Sequence, residues 1–223
     1  MKAMIMAAGL GKRLQPLTLN TPKPLIKVGS KSLLIRQIER LQNIGVQDFT
    51  INISYLAEQI RAELYQLHPG LNIKLIEEPF PYGTGGALLN ARPHLGDEPF
   101  ILCNADLFTD IDLTQMPQAT DAAHLIGVPN PTHNLDGDFS LQKQLVSIAK
   151  QNNQFTWSGI SLINPKILQG HEHQNYPCNL WEIILKPLIT ASRVTAHVDD
   201  SMWMDVGTVE RLELAREALK EEN

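Results

Sequence analysis

Two glycines and several basic residues stand close together near the start of the chain. Residues 9–18 read GLGKRLQPLT, and residues 21–25 read TPKPL. Gly9 and Gly11 allow the backbone to bend sharply and to bring its N–H groups close to phosphate oxygens. The prolines on either side of Lys23 restrict the backbone and exclude a regular helix, so Lys23 is suited to act as a fixed point charge on a polyphosphate. The spacing therefore predicts a phosphate-binding loop.

Two common phosphate-binding motifs are absent from this segment. A dinucleotide-binding fingerprint needs a glycine three residues after Gly11, where this chain has Leu14. A Walker A loop needs Gly-Lys followed by Ser or Thr at a fixed distance from its first glycine, and that pattern is missing as well. Two interpretations remain. The segment is either a different phosphate loop, in which Lys12 and Arg13 add charge, or an ordinary basic surface loop. The Pro-Lys-Pro segment favours the phosphate loop.

A carboxylate follows an apolar segment in the middle of the chain. Residues 99–103 predict a buried strand, and Asp106 comes just past its end. An aspartate there can reach a Mg²⁺ ion that bridges phosphates, because Mg²⁺ sites use one or two carboxylates together with water and substrate oxygens. A cap on a helix or turn is the alternative for Asp106.

The elements that must position these residues alternate between strand and helix. The predicted strands are 3–7, 49–53, 71–76, 99–103, 123–128, 156–163 and 194–198, with a hairpin over 138–148. The predicted helices are 32–44, 56–67 (closed by Pro69 and Gly70), 86–92, 179–191 (interrupted by Pro187) and 208–220. Strand–helix alternation with apolar strands indicates an α/β protein with a mostly parallel sheet covered by helices. Ligands of such sheets bind beyond the carboxyl ends of the strands, here after Ala7, Ile76 and Cys103.

Composition narrows the class of protein further. The 223 residues are 43% hydrophobic and 19% charged, with a formal net charge of −5, which gives no global attraction for nucleic acid or for an anionic membrane. Two cysteines are too few for a disulfide framework or a four-cysteine zinc site. No apolar run approaches the roughly 20 residues that span a bilayer. Lys12 and Arg13 follow the short apolar start where a signal peptide would have its cleavage region, so we expect a cytoplasmic protein.

The motif Gly-x-Gly-x-Arg-Leu-x-Pro-Leu-Thr, followed by x-Pro-Lys-Pro-Leu, resembles the signature of the sugar-1-phosphate nucleotidylyltransferases. These enzymes transfer a nucleoside monophosphate from a nucleoside triphosphate to a sugar 1-phosphate, with Mg²⁺. The resemblance implies a Rossmann-like nucleotidyltransferase fold, with a mostly parallel central sheet, helices on both faces and a small substrate-side elaboration. It implies a single domain over residues 1–223, with a nucleotide-binding half over about 1–130 and a sugar-binding half over about 131–223.

The resemblance also implies roles for particular residues. Arg13 and Lys23 are expected to be catalytic. Asp106 and Asp205, the latter within the family-like segment WMDVGT at residues 203–208, are expected to hold Mg²⁺. The expected nucleotide-binding residues are Ala8, Gly9, Gly11, Lys12, Arg13, Lys23, Glu78, Thr84 and Gly85. The expected sugar-binding residues are Asn104, Asp138, Gly159 and Lys150.

Three departures from the family pattern accompany these assignments. Lys12 stands where family members often have threonine, and Ala105 stands where they commonly have glycine. Lys150 lies in Ala-Lys-Gln, where many members have Glu-Lys-Pro.

Glu78 is placed at the base edge because a carboxylate can accept from the N3–H of uracil, although guanine offers donors too.

Among short members, the chain is most similar to the N-acetylmuramate 1-phosphate uridylyltransferases, in segments that include residues 155–161 and 205–210. That similarity implies UTP and N-acetylmuramate 1-phosphate as substrates, no nucleic-acid or membrane partner, and a monomer or small homo-oligomer. A guanylyltransferase acting on mannose or heptose 1-phosphate is the first alternative. A regulator of this fold that binds sugar nucleotides without catalysis is the second, because fold does not determine function.

Overall fold

The computed structural model describes residues 1–67 and 70–221, without the side chains of Leu67 and Glu221. Pro69, which was predicted to close a helix, lies outside these residues. The strands are β1 (Lys2–Met6), β2 (Lys27–Val28), β3 (Lys31–Ser32), β4 (Asp48–Ile53), β5 (Asn72–Glu77), β6 (Phe100–Asn104), β7 (Leu107–Thr109), β8 (Ala123–Pro129), β9 (Ser140–Gln142), β10 (Leu145–Ser147), β11 (Phe155–Ile163), β12 (Val194–Val198) and β13 (Trp203–Asp205). The helices are α1 (Leu33–Asn43), α2 (Ala57–Leu67), α3 (Gly83–Leu95), α4 (Lys186–Thr190) and α5 (Val209–Glu221).

The chain forms two compact units. Unit 1 contains Met1–Pro81, Cys103–Thr109 and Met204–Asn223, and unit 2 contains Tyr82–Leu102 and Asp110–Trp203. The predicted division near residue 130 stays a prediction. None of the helices in the described part of the chain combines the length and the apolar character needed to cross a bilayer.

Unit 1 is built on parallel strands. β4 lies between β1 and β5, and both neighbours run parallel to it. Met4, Ile5, Ile51 and Ile53 are fully buried, which explains the near-continuous apolar sequence of these strands. The predicted strands 3–7, 49–53 and 71–76 are confirmed, with bounds that differ by one residue.

The helices of unit 1 begin and end where local chemistry requires it. The Ser32 hydroxyl accepts from the Ile35 N–H and caps α1, whose predicted apolar face is buried. α1 ends before Gly45, which has a φ of 86°. α2 begins one residue later than predicted, because Leu56 has a φ of 53° and is not helical.

Unit 2 contains a mixed set of strands. β8 pairs antiparallel with β11 and parallel with β12, and the predicted hairpin over 138–148 is formed by β9 and β10. The α/β class is therefore confirmed. Besides the antiparallel pairs of unit 2, the short strands β2 and β3 of unit 1 also pair antiparallel.

Two predicted helices in unit 2 need correction. α3 begins at Gly83 and not at Gly86, because the glycine-rich segment is itself the first helical turn. Pro187 does not interrupt a helix over 179–191. A π-helical turn at Trp181–Leu185 leads directly into α4, so the chain stays helical through Pro187, and the change from π-helical to α-helical hydrogen bonding comes just before the proline.

Candidate active site

The glycine loop of unit 1, residues 9–18, folds back on itself. Gly11 has a φ of 64°, and the Thr18 hydroxyl donates to its carbonyl oxygen at 2.8 Å. A Cβ atom at Gly11 would lie 2.9 Å from Thr18 Cγ2 and 3.0 Å from Lys23 Cβ. Glycine is therefore required here by both conformation and space. At Gly9, by contrast, a Cβ atom would meet nothing within 4 Å, so the backbone there is open to close approach.

Lys23 begins a short 3₁₀ turn, Lys23–Leu25, whose next two residues are buried. Its Nζ atom forms an ion pair with the Asp106 carboxylate. The Lys23 and Asp106 side chains are only 13% and 25% exposed, so solvent screens this pair less than a surface pair. The two residues predicted to act on phosphate and metal therefore lie together.

A backbone hydrogen bond joins the segment of Asp205 to that of Asp106. The Val206 N–H donates to the carbonyl oxygen of Asp106 at 2.8 Å, which aligns the two segments in register. The Ala105 N–H in turn donates to Met6 O at 3.1 Å, so Asp106 lies beside the end of β1 and the start of the glycine loop. Residues far apart in sequence thus converge at the carboxyl ends of the strands, as expected for this class.

Glu78 is buried, with 2% of its surface exposed. Its Oε1 atom accepts from Asn52 Nδ2 at 2.9 Å, and Asn52 Oδ1 accepts from the Ala7 N–H at 2.9 Å. This chain of hydrogen bonds ties the ends of β1, β4 and β5 together, directly before Ala8 and the glycine loop. Contact between Glu78 and a nucleobase stays a prediction.

The other predicted nucleotide residues, Thr84 and Gly85, lie in unit 2. The Thr84 hydroxyl accepts from the Leu180 N–H at 2.9 Å, and the Gly85 N–H donates to the carbonyl oxygen of Cys178 at 2.9 Å. The Tyr82 ring stacks on Tyr176 with centroids 4.3 Å apart. The glycine-rich start of α3 is therefore clamped to residues 176–180.

The predicted sugar-binding residues are distributed over both units. Asn104 ends β6 in unit 1 and is partly buried. In unit 2, Asp138 accepts from the Trp157 N–H at 2.8 Å and from Asn134 Nδ2 at 3.1 Å, so it braces β11. Gly159 has a φ of 81° within an irregular stretch of that strand. Lys150 is exposed in the bend after β10.

The family is identified by comparison with known proteins. A family model described as "Nucleotidyl transferase" matches residues 2–134, which is more than half of the chain. The chain belongs to the nucleotidyl transferase family. The prediction of a nucleotidylyltransferase, drawn from the glycine loop and the Pro-Lys-Pro segment, is therefore confirmed.

Relatives of this nucleotidyl transferase align with most of its length. It is 37% identical, over 97% of both chains, to an N-acetylmuramate alpha-1-phosphate uridylyltransferase of Neisseria meningitidis serogroup B. It is 30% identical to a probable mannose-1-phosphate guanylyltransferase of Oryza sativa subsp. japonica, over 93% of this chain but only 61% of that protein. The family is thus shared by relatives that differ in nucleotide and sugar.

Solved structures support the same fold for this nucleotidyl transferase. HddC from Yersinia pseudotuberculosis, complexed with GMP-PN, superposes with a TM-score of 0.78 at 25% identity and covers 98% of this chain and 99% of its own. A putative glucose-1-phosphate thymidylyltransferase from Bacillus anthracis gives a TM-score of 0.85 at 18% identity, covering 100% of this chain and 96% of its own. The second likeness concerns the fold alone.

The donor set of unit 1 fits the divalent cation implied by the family. Mg²⁺ prefers oxygen ligands and is commonly held by one or two carboxylates plus substrate phosphates. Asp106 and Asp205 supply two carboxylates on hydrogen-bonded segments. Across residues 1–67 and 70–221, no group of three or more His, Cys, Asp or Glu residues forms a self-sufficient metal site. A cation that needs substrate oxygens is consistent with this pair.

Two residues of this region were missed by sequence reasoning. Asn52 joins Ala7 to Glu78, and the signal for it was an amide side chain near the end of a mostly buried strand. Arg211 lies with its Nη2 atom 3.1 Å from Asp205 Oδ2, and its place six residues after the aspartate gave no local signal.

Proposed function

We propose that this nucleotidyl transferase transfers UMP from UTP to N-acetylmuramic acid 1-phosphate, giving UDP-N-acetylmuramic acid and pyrophosphate. The observation that carries the transfer chemistry is the convergence of Lys23, Asp106 and Asp205 beside the glycine loop. The uridylyltransferase of Neisseria meningitidis, similar over 97% of both chains, supports the choice of substrates. A place in the cytoplasm, in peptidoglycan recycling, belongs to the same proposal.

The proposed reaction is an in-line displacement at the α-phosphorus of the triphosphate. An oxygen of the sugar phosphate attacks, the bond to the β-phosphate bridging oxygen breaks, and pyrophosphate leaves. The attacking phosphate is already anionic near neutral pH, so no general base is needed. Catalysis then depends on positioning and on neutralising negative charge.

The basic residues of unit 1 have distinct roles in this proposal. Arg13 binds the departing pyrophosphate, and Lys23 neutralises the α-phosphate. Lys12 is exposed next to Arg13 and adds charge at the loop. The backbone N–H groups at Gly9 and Gly11 face phosphate oxygens, and the loop is held for this by the Thr18 hydrogen bond to Gly11.

Asp106 and Asp205 are the residues that would hold Mg²⁺. The cation supplies charge stabilisation for the phosphates when it is bound. The Lys23–Asp106 ion pair fixes the directions of both side chains before substrate arrives, because neither group is free to turn into solvent without losing its partner.

The base and the sugar are assigned to further residues as part of the proposal. Glu78 with Asn52 supports the base-binding side from beneath the glycine loop, and Thr84 and Gly85 contribute the glycine-rich start of α3. Asn104, Asp138, Gly159 and Lys150 are proposed to serve the sugar. Asp138 acts there through the backbone of Trp157.

A guanylyltransferase is the second candidate function. The rice relative named as a probable mannose-1-phosphate guanylyltransferase is 30% identical over 93% of this chain, and HddC was solved with GMP-PN. Both candidates share the same phosphate chemistry and differ only in base and sugar.

The test is pyrophosphate release with Mg²⁺, crossing UTP and GTP with the 1-phosphates of N-acetylmuramate, mannose and glucose. Release with UTP and the muramate alone is the expected result. Release with GTP and mannose 1-phosphate establishes the second candidate and removes the first. No release from any pair contradicts both, and titrating the nucleotide with and without Mg²⁺ then tests for a protein that only binds.

A further inference from the structure

Arg211 contacts Asp205 from a largely buried position. Its Nη2 atom lies 3.1 Å from Asp205 Oδ2, and only 11% of its side chain is exposed. The Nε and Nη2 groups are inaccessible to solvent and form no hydrogen bond within the described residues. Burying a guanidinium is costly unless it is paired with an opposite charge, so the Asp205 carboxylate is what holds Arg211 in place.

Two hydrogen bonds donated by backbone N–H groups determine how Arg211 reaches the carboxylate. The Gly207 N–H donates to the carbonyl oxygen of Asp205 at 2.8 Å, forming a tight turn directly after the aspartate. The Arg211 N–H donates to the Thr208 hydroxyl at 3.3 Å, which caps the first turn of α5. The turn and the cap together direct the Arg211 side chain back to Asp205.

Gly207 leaves the space through which the arginines pass. A Cβ atom at this position would lie 2.4 Å from Arg211 Nη2, 3.1 Å from Arg13 Nη2 and 3.3 Å from Asp205 Oδ2. The first of these distances is far below a van der Waals contact. A side chain at residue 207 would therefore displace the guanidinium from the carboxylate.

We propose that Arg211 is a positioning residue of the nucleotidyl-transfer reaction, one that fixes the orientation in which Asp205 presents its oxygens to a divalent cation. The inference rests on the proposed function, in which Asp205 is one of two metal-binding carboxylates. A planar guanidinium at ion-pair distance restricts the orientation of a carboxylate more than an ammonium does, because its charge is spread over a rigid plane.

Arg211 also changes the charge balance around the two carboxylates. Arg13, Lys23 and Arg211 supply three positive groups, against two negative groups from Asp106 and Asp205. A net positive cluster repels a bare divalent cation and attracts a triphosphate that carries one. We therefore expect the cation to be taken up together with the nucleotide.

The experiment measures the Mn²⁺ that ultrafiltration retains with the protein in the presence of UTP, without any sugar phosphate. A sample with UTP but no protein gives the background, because UTP and its own Mn²⁺ complex pass the membrane. Arg211→Met is expected to weaken Mn²⁺ binding about tenfold, in the range found when residues that orient metal ligands are removed. Arg211→Lys is expected to fall between Met and the natural protein. Lys220→Gln, which removes an exposed positive charge from the last turn of the same helix, is the matched control and should bind as the natural protein does.

Gly207→Ala provides a second variant in case Arg211→Met does not fold. It keeps every charge but displaces the Arg211 guanidinium, so it should weaken Mn²⁺ binding in the same direction. Thermal melting of each variant separates loss of the fold from loss of the cation. The concentration of Mg²⁺ that gives half-maximal pyrophosphate release should rise in parallel, whereas a merely structural role would leave it unchanged.

The inference is overturned if folded Arg211→Met binds Mn²⁺ with UTP as tightly as the natural protein. It is also overturned if the natural protein takes up no Mn²⁺ in the presence of UTP. If the natural protein releases no pyrophosphate from any substrate pair, yet Mn²⁺ binding still weakens in Arg211→Met, the proposed reaction fails and the positioning role stands.

Discussion

Lys23 combines a restricted backbone with a partly buried charge. The neighbouring prolines limit the conformations of its backbone, and the ion pair with Asp106 limits those of its side chain. Little conformational entropy remains to be lost when the ammonium group meets a phosphate. A lysine arranged in this way is suited to stabilising a transition state, because it need not reorganise during the reaction.

Lys23→Ala and Asp106→Ala are each expected to lower kcat by about 10²–10³-fold, the range for loss of one preorganised charge-stabilising group. Both variants are expected to stay folded, and thermal melting checks this before the rates are compared, because each variant leaves a partly buried charge without its partner. Pyrophosphate release at saturating substrate measures the effect. Lys27→Ala removes an exposed lysine nearby and serves as the control. A near-normal rate in either test variant would contradict the assignment.

At the residue scale, the sequence predicted what depends on neighbouring positions. Gly11 and Lys23 could be singled out because their roles follow from glycine conformation and from flanking prolines. Asp205 was paired with Asp106 only through a family resemblance, since 99 positions separate them. Asn52 and Arg211 were missed because their partners, Ala7, Glu78 and Asp205, come together only through the fold.

Two histidines pair across neighbouring strands of unit 2. His124 Nε2 on β8 lies 2.8 Å from His197 Nδ1 on β12, and His124 Nδ1 lies 2.8 Å from the Thr195 hydroxyl. The pair borders a polar cavity of about 820 Å³. Burial, reinforced by the charge of His197, lowers the pKa of His124 to about 4. Burial also lowers the pKa of His197, with Asp199 opposing the change.

This pair makes stability depend on pH in a defined direction. In the unfolded chain these histidines protonate near pH 6.5, whereas in the fold they stay neutral to lower pH. Their contribution is therefore fully present above pH 6.5 and is lost as pH falls toward 4. We expect the free energy of unfolding to drop by about 1–2 kcal/mol between pH 7 and pH 5 from this source.

Denaturant unfolding of the natural protein and of His124→Gln at several pH values measures that contribution. The variant should show a flatter dependence between pH 7 and pH 5. His94→Gln, which changes an exposed histidine of α3, should retain the slope of the natural protein. Aspartates whose pKa values are lowered by other partners, such as Asp121 beside Arg193, contribute equally to all three proteins and cancel in the comparison. Identical slopes for the natural protein and His124→Gln would disprove the role of the pair.

At the element scale, strands were predicted better than helix limits. Apolar runs such as residues 99–103 mark buried strands directly, because both faces are covered. The start of α3 was placed too late because the Gly83–Gly86 segment has a poor intrinsic tendency to form a helix. Tertiary hydrogen bonds from Gly85 and Thr84 to residues 178–180 stabilise that turn, and no local signal reports them.

At the scale of the whole molecule, neither compact unit is a continuous segment of chain. The polypeptide passes from one unit to the other after residues 81, 102, 109 and 203. Unit 1 is completed by its last segment, where Arg216 donates to the carbonyl oxygen of Lys27 and Val206 donates to that of Asp106. Unit 1, which contains most of the nucleotide-binding half proposed from the sequence, therefore depends on residues from the far end of the chain.

A fragment of residues 1–130 is expected not to fold cooperatively. It lacks α5 and Asp205 from unit 1, and it contains β8 without its partners β11 and β12. Circular dichroism during thermal melting should show no sigmoidal transition for the fragment and a clear one for the full chain. Adding residues 131–223 as a separate fragment is the informative control, and recovery of a transition only in the mixture fits the interleaved units. Cooperative melting of the isolated fragment would show that the division near residue 130 marks an independent domain.

The rate at which the Cys103 thiol is alkylated measures local opening of the protein. Its thiol is buried in β6, and burial raises its pKa to about 12, so it exists almost entirely as the unreactive thiol. An alkylating reagent can modify Cys103 only during excursions that expose β6, whereas Cys178 is partly accessible without them. Cys103 should therefore be labelled more slowly than Cys178, and its labelling rate reports how often β6, the strand leading to Asp106, opens locally. A bound substrate that makes these openings rarer would slow the labelling of Cys103, so the natural protein can report substrate binding without any engineered probe.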